Sequence, residues 1–413
     1  MIKILIILIL VEIILFFISK RIRKSFQWFI LKQNDLNLKF KKNLIKKFKN
    51  NSYNFKLGWK PKKNSIKIEE IKTQGESIKI FKKVEYNLGK LSERKNKSIL
   101  KKNLISSFGD SFVFCKHVED GHTWQNYLSL RTKTNVFNFG VNNYGIDQTF
   151  LRYKDIRKKI KSKIILIGFV PETILRIRSK WKHFFEYGNI LAFKPSFEIK
   201  SKNSLKLKKN PLKKAEDLLN KKKFEKILNE LKKSDHWYKE KFLKDLLKFP
   251  FILNIFKKPE RNFSIILNFI YFWITKKNKY HDNAWRIILN ENFLILEKKF
   301  NNEFDRNLFE LILNDFNKVV KKDHRKSLFI VFPYKKDVIQ FKKSKKTIYS
   351  KFFLSFHNKL NFLDLTPYLS KYSLNKINKF YHSDFYGSHL TAFGNQVCAE
   401  YIYKHLKKLR MYK

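Results

Sequence analysis

The sequence predicts an α/β protein built on a parallel sheet with helices over both faces. Short apolar runs, β-branched or aromatic, stand at 104–108, 136–139, 164–167 and 328–332, with a weaker fifth at 362–365, and turn residues bound each one. Helical patterns at 123–130, 147–161 and 392–408 lie between or after them. Strands alternating with helices pair in parallel and bury both sheet faces. The composition permits such a core: of 413 residues, 43% are hydrophobic and 16% aromatic, with 11 Gly and 8 Pro. That mix excludes a disordered or collagen-like chain.

In chain order, the first feature is an apolar run over residues 4–18, broken by Glu12 and followed by Lys20, Arg21, Arg23 and Lys24. Fifteen helical residues reach about 22 Å, and inclusion of Met1 to Ser19 with snorkelling lysine ends approaches the ~30 Å hydrocarbon core. No small-x-small cleavage site follows, so residues 1–25 are expected to form an uncleaved single-pass anchor. A buried N-terminal helix is the alternative. The four basic residues after the run, against Lys3 and the amino terminus before it, place the main domain in the cytoplasm by the positive-inside rule.

Residues 26–100 are lysine-rich with short alternating runs, which predicts an irregular or β-containing extension. The α/β domain is expected in two parts, 101–195 and 326–413. The third and fourth strands are about 160 residues apart, too far for one crossover, so 196–325 reads as a helical insert. In it, Asn210-Pro211 is a plausible cap and first residue of a helix that continues through Leu218, Leu228 and Leu231. Further helices are expected over 237–249, 263–275 and 283–320. The stretch 263–275 is short for a span and contains Asn268, which favours a buried or membrane-apposed helix.

The net charge is +55, from 90 Lys+Arg against 35 Asp+Glu. Only 13 of the basic residues are Arg, and they form no cluster, whereas nucleic-acid recognition favours the Arg fork. The lysines are spread evenly among many Asn, Ile and Phe, which points to a compositional bias. No specific nucleic-acid partner is expected; a general attraction to anionic polymers or lipid headgroups is. The two cysteines, Cys115 and Cys398, form neither a disulfide framework nor a zinc-ligand pair, and read as small buried hydrophobes.

Three segments carry chemistry. The first strand ends in Ser107-Phe108-Gly109-Asp110-Ser111-Phe112. A serine in such a turn projects its hydroxyl over the sheet edge, beside N–H groups that face a developing oxyanion. The second strand runs into Asn138-Phe139-Gly140-Val141-Asn142-Asn143-Tyr144-Gly145. Near the C-terminus stands Asp384-Phe385-Tyr386-Gly387-Ser388-His389-Leu390-Thr391, followed by a helix. In this order the three segments resemble the SGNH (GDSL-type) hydrolase and acyltransferase superfamily, from about residue 104 to the C-terminus with the insert interrupting.

The resemblance implies a three-layer α/β/α, flavodoxin-like sheet and a serine mechanism acting on ester bonds, with no cofactor and no metal. It makes Ser111 the nucleophile and His389 the base. The helper carboxylate three residues before the histidine is replaced by Tyr386, so Asp384 takes that role or a backbone carbonyl does. The oxyanion would be received by the N–H groups of Ser111 and Asn143, the latter aligning with a family glycine. Glu172 stands where the family has a third donor, an Asn, and an ionised carboxylate cannot donate. Asn142 and Trp181 are candidate substrate contacts, Trp181 opening an aromatic stretch that reads either as cleft lining or as core. The implied substrate is an acylated carbohydrate or other small ester, such as O-acetyl groups on an envelope polysaccharide, with the domain outside the cytoplasm. The competing expectation is a catalytically impaired glycan-binding or scaffold protein of the envelope.

Overall fold

The computed structural model describes residues 2–25, 38–72, 80–98, 100, 102–246, 249–356, 359–382 and 389–412. The chain divides into two compact units: residues 1–59, 178–195 and 209–296 form one, and 60–177, 196–208 and 297–413 the other.

The larger unit is mixed α/β. Its central sheet has five strands, β1 (Ile105–Gly109), β2 (Val136–Asn138), β3 (Ile164–Phe169), β4 (Lys326–Val331) and β5 (Phe362–Asp364). They run in the order β5-β4-β3-β1-β2, and every pair is parallel. All residues of β1 and β3 are buried, as expected for strands covered on both sides. Alternate residues serve different helices. Ile105, Leu166, Leu328 and Ile330 join a core with Trp124, Leu128, Ala399 and Ile402 of helices Trp124–Thr132 and Ala392–Lys408. Phe108 instead meets Tyr153, and Phe329 meets Phe316, of helices Ile146–Ile156 and Glu303–Lys322. This arrangement is compatible with three α/β/α layers.

Local chemistry sets the helix starts. Thr123 accepts the Asn126 N–H and Thr391 accepts the Gly394 N–H, each as an N-cap. The 26–100 region contributes an antiparallel hairpin, Ser65–Lys72 with Ile80–Leu88.

Several boundaries differ from expectation. The helix Glu303–Lys322, assigned from sequence to the insert, packs on the central sheet, and the hairpin Ser196–Ser201/Ser204–Lys208 belongs to the same unit. The single helix expected over 283–320 is two, because the Asn302 side chain accepts the Asp305 N–H and restarts the chain as a cap. Asn210-Pro211 opens no helix: the Asn210 side chain closes a local turn on the Leu212 N–H, and the long helix begins at Lys221 under an Asn220 cap.

The smaller unit holds helix Ile2–Ser25, whose stretch Ile2–Arg21 is long and apolar enough to cross a membrane. It also holds helices Lys42–Asn51, Lys221–Ser234 and Pro259–Thr275.

Candidate active site

The strand order is the doubly wound 2-1-3-4-5, which reverses direction between β1 and β3. Ligands of such sheets bind beyond the carboxyl ends of the strands at that reversal. Ser111 lies there, two residues past the end of β1.

Gly109 ends β1 so close to its neighbours that an added Cβ would lie 2.2 Å from the Gly168 carbonyl oxygen of β3. The chain then turns at Asp110, whose Oδ1 accepts the Phe112 N–H at 2.9 Å and caps the short helix Ser111–Phe114. Its Oδ2 accepts the Val170 N–H at 2.9 Å, tying the serine turn to the end of β3. The Arg176 guanidinium lies 3.7 Å away. Burial raises the Asp110 pKa, opposed by Arg176 and by these two N–H donors.

The histidine arrives from far along the chain. His389 precedes the helix Ala392–Lys408 and is held by its own carbonyl, which accepts the His382 N–H at 2.8 Å. The bridge Tyr381↔Leu390 and the Thr391 N–H to the Phe380 carbonyl, 2.8 Å, flank it. Gly394 is required in this corner, since a Cβ there would lie 2.2 Å from that same Phe380 oxygen. The outcome is a hydrogen bond of 2.9 Å between His389 Nε2 and Ser111 Oγ, across 278 residues of sequence. Both side chains are mostly buried, at 6% and 8% exposure. Such a serine–imidazole pair can pass the hydroxyl proton to the ring as the oxygen attacks an electrophile.

Phe112 packs on the His389 ring with centroids 5.2 Å apart, and His117 meets it edge to face at 5.0 Å. His117 was not singled out by sequence reasoning; its only signal was a position six residues after Ser111. Two left-handed residues, Cys115 at φ 56° and His117 at φ 75°, curl the chain back to place it. Arg94 pins that curl: its buried guanidinium donates to the carbonyls of Phe114 and Cys115 at 2.7 and 2.6 Å, to the Val118 carbonyl, and to Asp120 at 2.7 Å. The Cys115 thiol is buried here and its pKa is pushed up to about 12.

Asn143 sits at φ 67°, a left-handed conformation that asparagine tolerates where most residues do not. It is exposed and Asn142 half-buried, both in the turn after β2. Glu172 is engaged: its Oε2 accepts from Arg176 at 2.6 Å and from the Tyr334 hydroxyl at 2.8 Å. Its negative charge is therefore matched by a guanidinium that also donates to the Tyr144 carbonyl at 3.0 Å. Glu172 is an acceptor in this arrangement, so it does not take the place of the family's donor. Of its two readings Trp181 takes the core one and not the substrate contact: it is fully buried, stacked on Phe193 at 5.0 Å in the core of the smaller unit. Its large apolar ring is used for packing and lines no cleft. Asp384 lies outside the described residues. Among the described residues, no group of three or more His, Cys, Asp or Glu side chains is arranged to hold a metal ion.

No family model matches the chain, and no curated protein matches it.

Proposed function

We propose that this chain is a membrane-anchored serine esterase or O-acyltransferase of SGNH type, acting on an acyl ester such as O-acetyl on a cell-envelope polysaccharide. The 2.9 Å bond between His389 Nε2 and Ser111 Oγ at the reversal of the sheet carries the proposal. Ser111 attacks the ester carbonyl while His389 takes the hydroxyl proton. The N–H groups of Ser111 and Asn143 receive the oxyanion. Collapse of that intermediate expels the alcohol, which takes the proton from His389, and leaves an acyl-serine. Water or an acceptor hydroxyl, deprotonated by His389, then releases the acyl group. The anchor is residues Ile2–Arg21, which hold the enzyme at the envelope membrane.

A second reading, a glycan-binding or scaffold protein that has lost turnover, is favoured by Glu172, which offers no donor at the third oxyanion position. Fluorophosphonate labelling of the detergent-solubilised full chain separates the two. On the enzyme reading the wild type labels, Ser111→Ala does not, and His389→Ala labels slower by about 10³-fold or more. A folded wild type that fails to label overturns the enzyme reading and leaves the scaffold one leading.

A further inference from the structure

The N-terminal helix is covered unevenly. From Ile2 to Val11 every side chain is exposed, whereas from Glu12 onward a stripe of Glu12, Leu15, Ile18 and Ser19 is covered or half-covered. The cover comes from the insert. The Glu12 carboxylate accepts the N–H groups of Phe251 at 2.7 Å and Ile252 at 2.9 Å. The Phe16 ring lies 6.2 Å from Phe251, and the Arg21 guanidinium stands 4.2 Å over the Trp273 ring. Leu15 and Ile18 pack on a cluster of Phe251, Ile255, Ile265 and Phe269.

These contacts run from residue 12 to residue 21, about 14 Å along the helix and about half of a ~30 Å hydrocarbon layer. Glu12 is the one ionisable group in the middle of the apolar stretch, where a charge needs partners inside the membrane. The insert supplies both of the N–H partners named above.

The insert's outward surface is of the same kind. Helix Pro259–Thr275 buries Asn262, Ile265 and Phe269, yet its opposite stripe of Phe263, Leu267, Tyr271 and Ile274 is exposed and apolar. Leu253 and Phe256 extend that face, at 66% and 61% exposure. A helix in water turns polar residues outward, and an apolar stripe left facing outward marks a bilayer or another apolar surface. Exposed Lys276 and Lys277 follow the helix end at Thr275, as Lys20 and Arg21 end the anchor, and such residues mark a headgroup boundary.

We infer that residues 249–275 are embedded beside residues 12–21 in a single leaflet, the one the anchor leaves at Arg21, with lipid acyl chains covering the exposed apolar face. This rests on the reading of Ile2–Arg21 as a membrane anchor. The attachment is then a span through one leaflet and a wider helical wedge in the other.

The test uses the full chain reconstituted in phosphatidylcholine–phosphatidylglycerol vesicles, with an environment-sensitive nitrobenzoxadiazole label on single introduced cysteines. Leu10→Cys reports the anchor, Leu253→Cys and Leu267→Cys the insert, and Lys226→Cys an exposed helix position; native Cys115 and Cys398 are buried. The positions are exposed, so substitution leaves the packing intact. The expected result is quenching by doxyl-labelled lipid at Leu10, Leu253 and Leu267 several-fold above that at Lys226, with protection from aqueous iodide. Lipid quenching at Leu10 together with iodide quenching at Leu267 overturns the inference and leaves the anchor standing. Iodide quenching at both overturns the anchor reading as well. Protection of Leu267 from both quenchers overturns the lipid assignment in favour of a second copy or another protein.

Discussion

Arg176 and Glu172 define the charge of the candidate site. Asp110 is fully enclosed and Glu172 is mostly so, and the one guanidinium between them sits 3.7 Å from the first and 2.6 Å from the second. Removing one partner of a buried ion pair leaves uncompensated charge, at a cost of about 3–5 kcal/mol. Arg176→Met is therefore expected to lower stability by that amount, read as a fall in unfolding free energy, and to slow labelling of Ser111. A variant with unchanged stability would show that the cluster is neutralised in another way. Of the two arginines that follow Glu172, the structure uses Arg176, at the i, i+4 spacing that faces it along one helical turn. Arg178 instead bonds His236.

At the scale of elements, the serine turn and the histidine corner depend on three close backbone approaches. Gly109 touches β3, Gly140 touches the serine helix, and Gly394 sits under the histidine corner. A Cβ on Gly140 would lie 2.2 Å from the Phe114 backbone nitrogen, which donates to the Asp110 carbonyl. Gly140→Ala must then displace the helix Ser111–Phe114, with an overpacking cost of about 1–3 kcal/mol. The expected readout is slower Ser111 labelling in a protein that still folds, compared with an alanine at half-buried Gly121, where the nearest atom is 3.2 Å away on the flexible Lys97 side chain. Equal labelling of the two variants would show that the turn tolerates the shift. Gly109 and Gly140 stand in the segments that sequence reading singled out, and Gly394 opens the helix that follows the third, because close approach demands the residue type. The Asn302 cap that breaks a long helix, and the Lys221 start of another, were not anticipated. Each turns on which side chain closes a local hydrogen bond, which periodicity does not report.

For the molecule as a whole, buried carboxylates shape the dependence of stability on pH. Burial raises Asp337 to about 7 and Asp364 to about 6. An unfolded aspartate titrates near ~4, so between that value and 7 the folded state holds more protons than the unfolded one. Stability contributed by these groups is full at acid pH and falls as pH rises, by at most about 1.4 kcal/mol per pH unit for each group. Above the folded value the loss is complete and the contribution is flat. Asp337→Asn keeps an oxygen for the Tyr334 N–H while removing the titration, so its unfolding free energy should gain on wild type between pH 4 and 7, by up to about 4 kcal/mol. Parallel pH curves for the two proteins would refute that assignment.

The sequence by itself determined the α/β class with a parallel sheet, the places of the main strands to within a residue or two, and the apolar N-terminal helix, all from local rules of short apolar runs bounded by turn residues. Ser111 and His389 became candidates through the resemblance that their segments carry. Only the tertiary structure decided the strand order, the 2.9 Å approach across 278 residues, and the placement of His117 and Arg94 around it. It also took Trp181 into a core and brought the Tyr334 hydroxyl to Glu172. Contacts of this kind join residues far apart in the chain, and neither propensity nor spacing carries information about which distant side chain will be met. The partner of Glu12 shows the same limit: a charge inside an apolar helix predicts that a partner exists, and only folding places Phe251 and Ile252 against it.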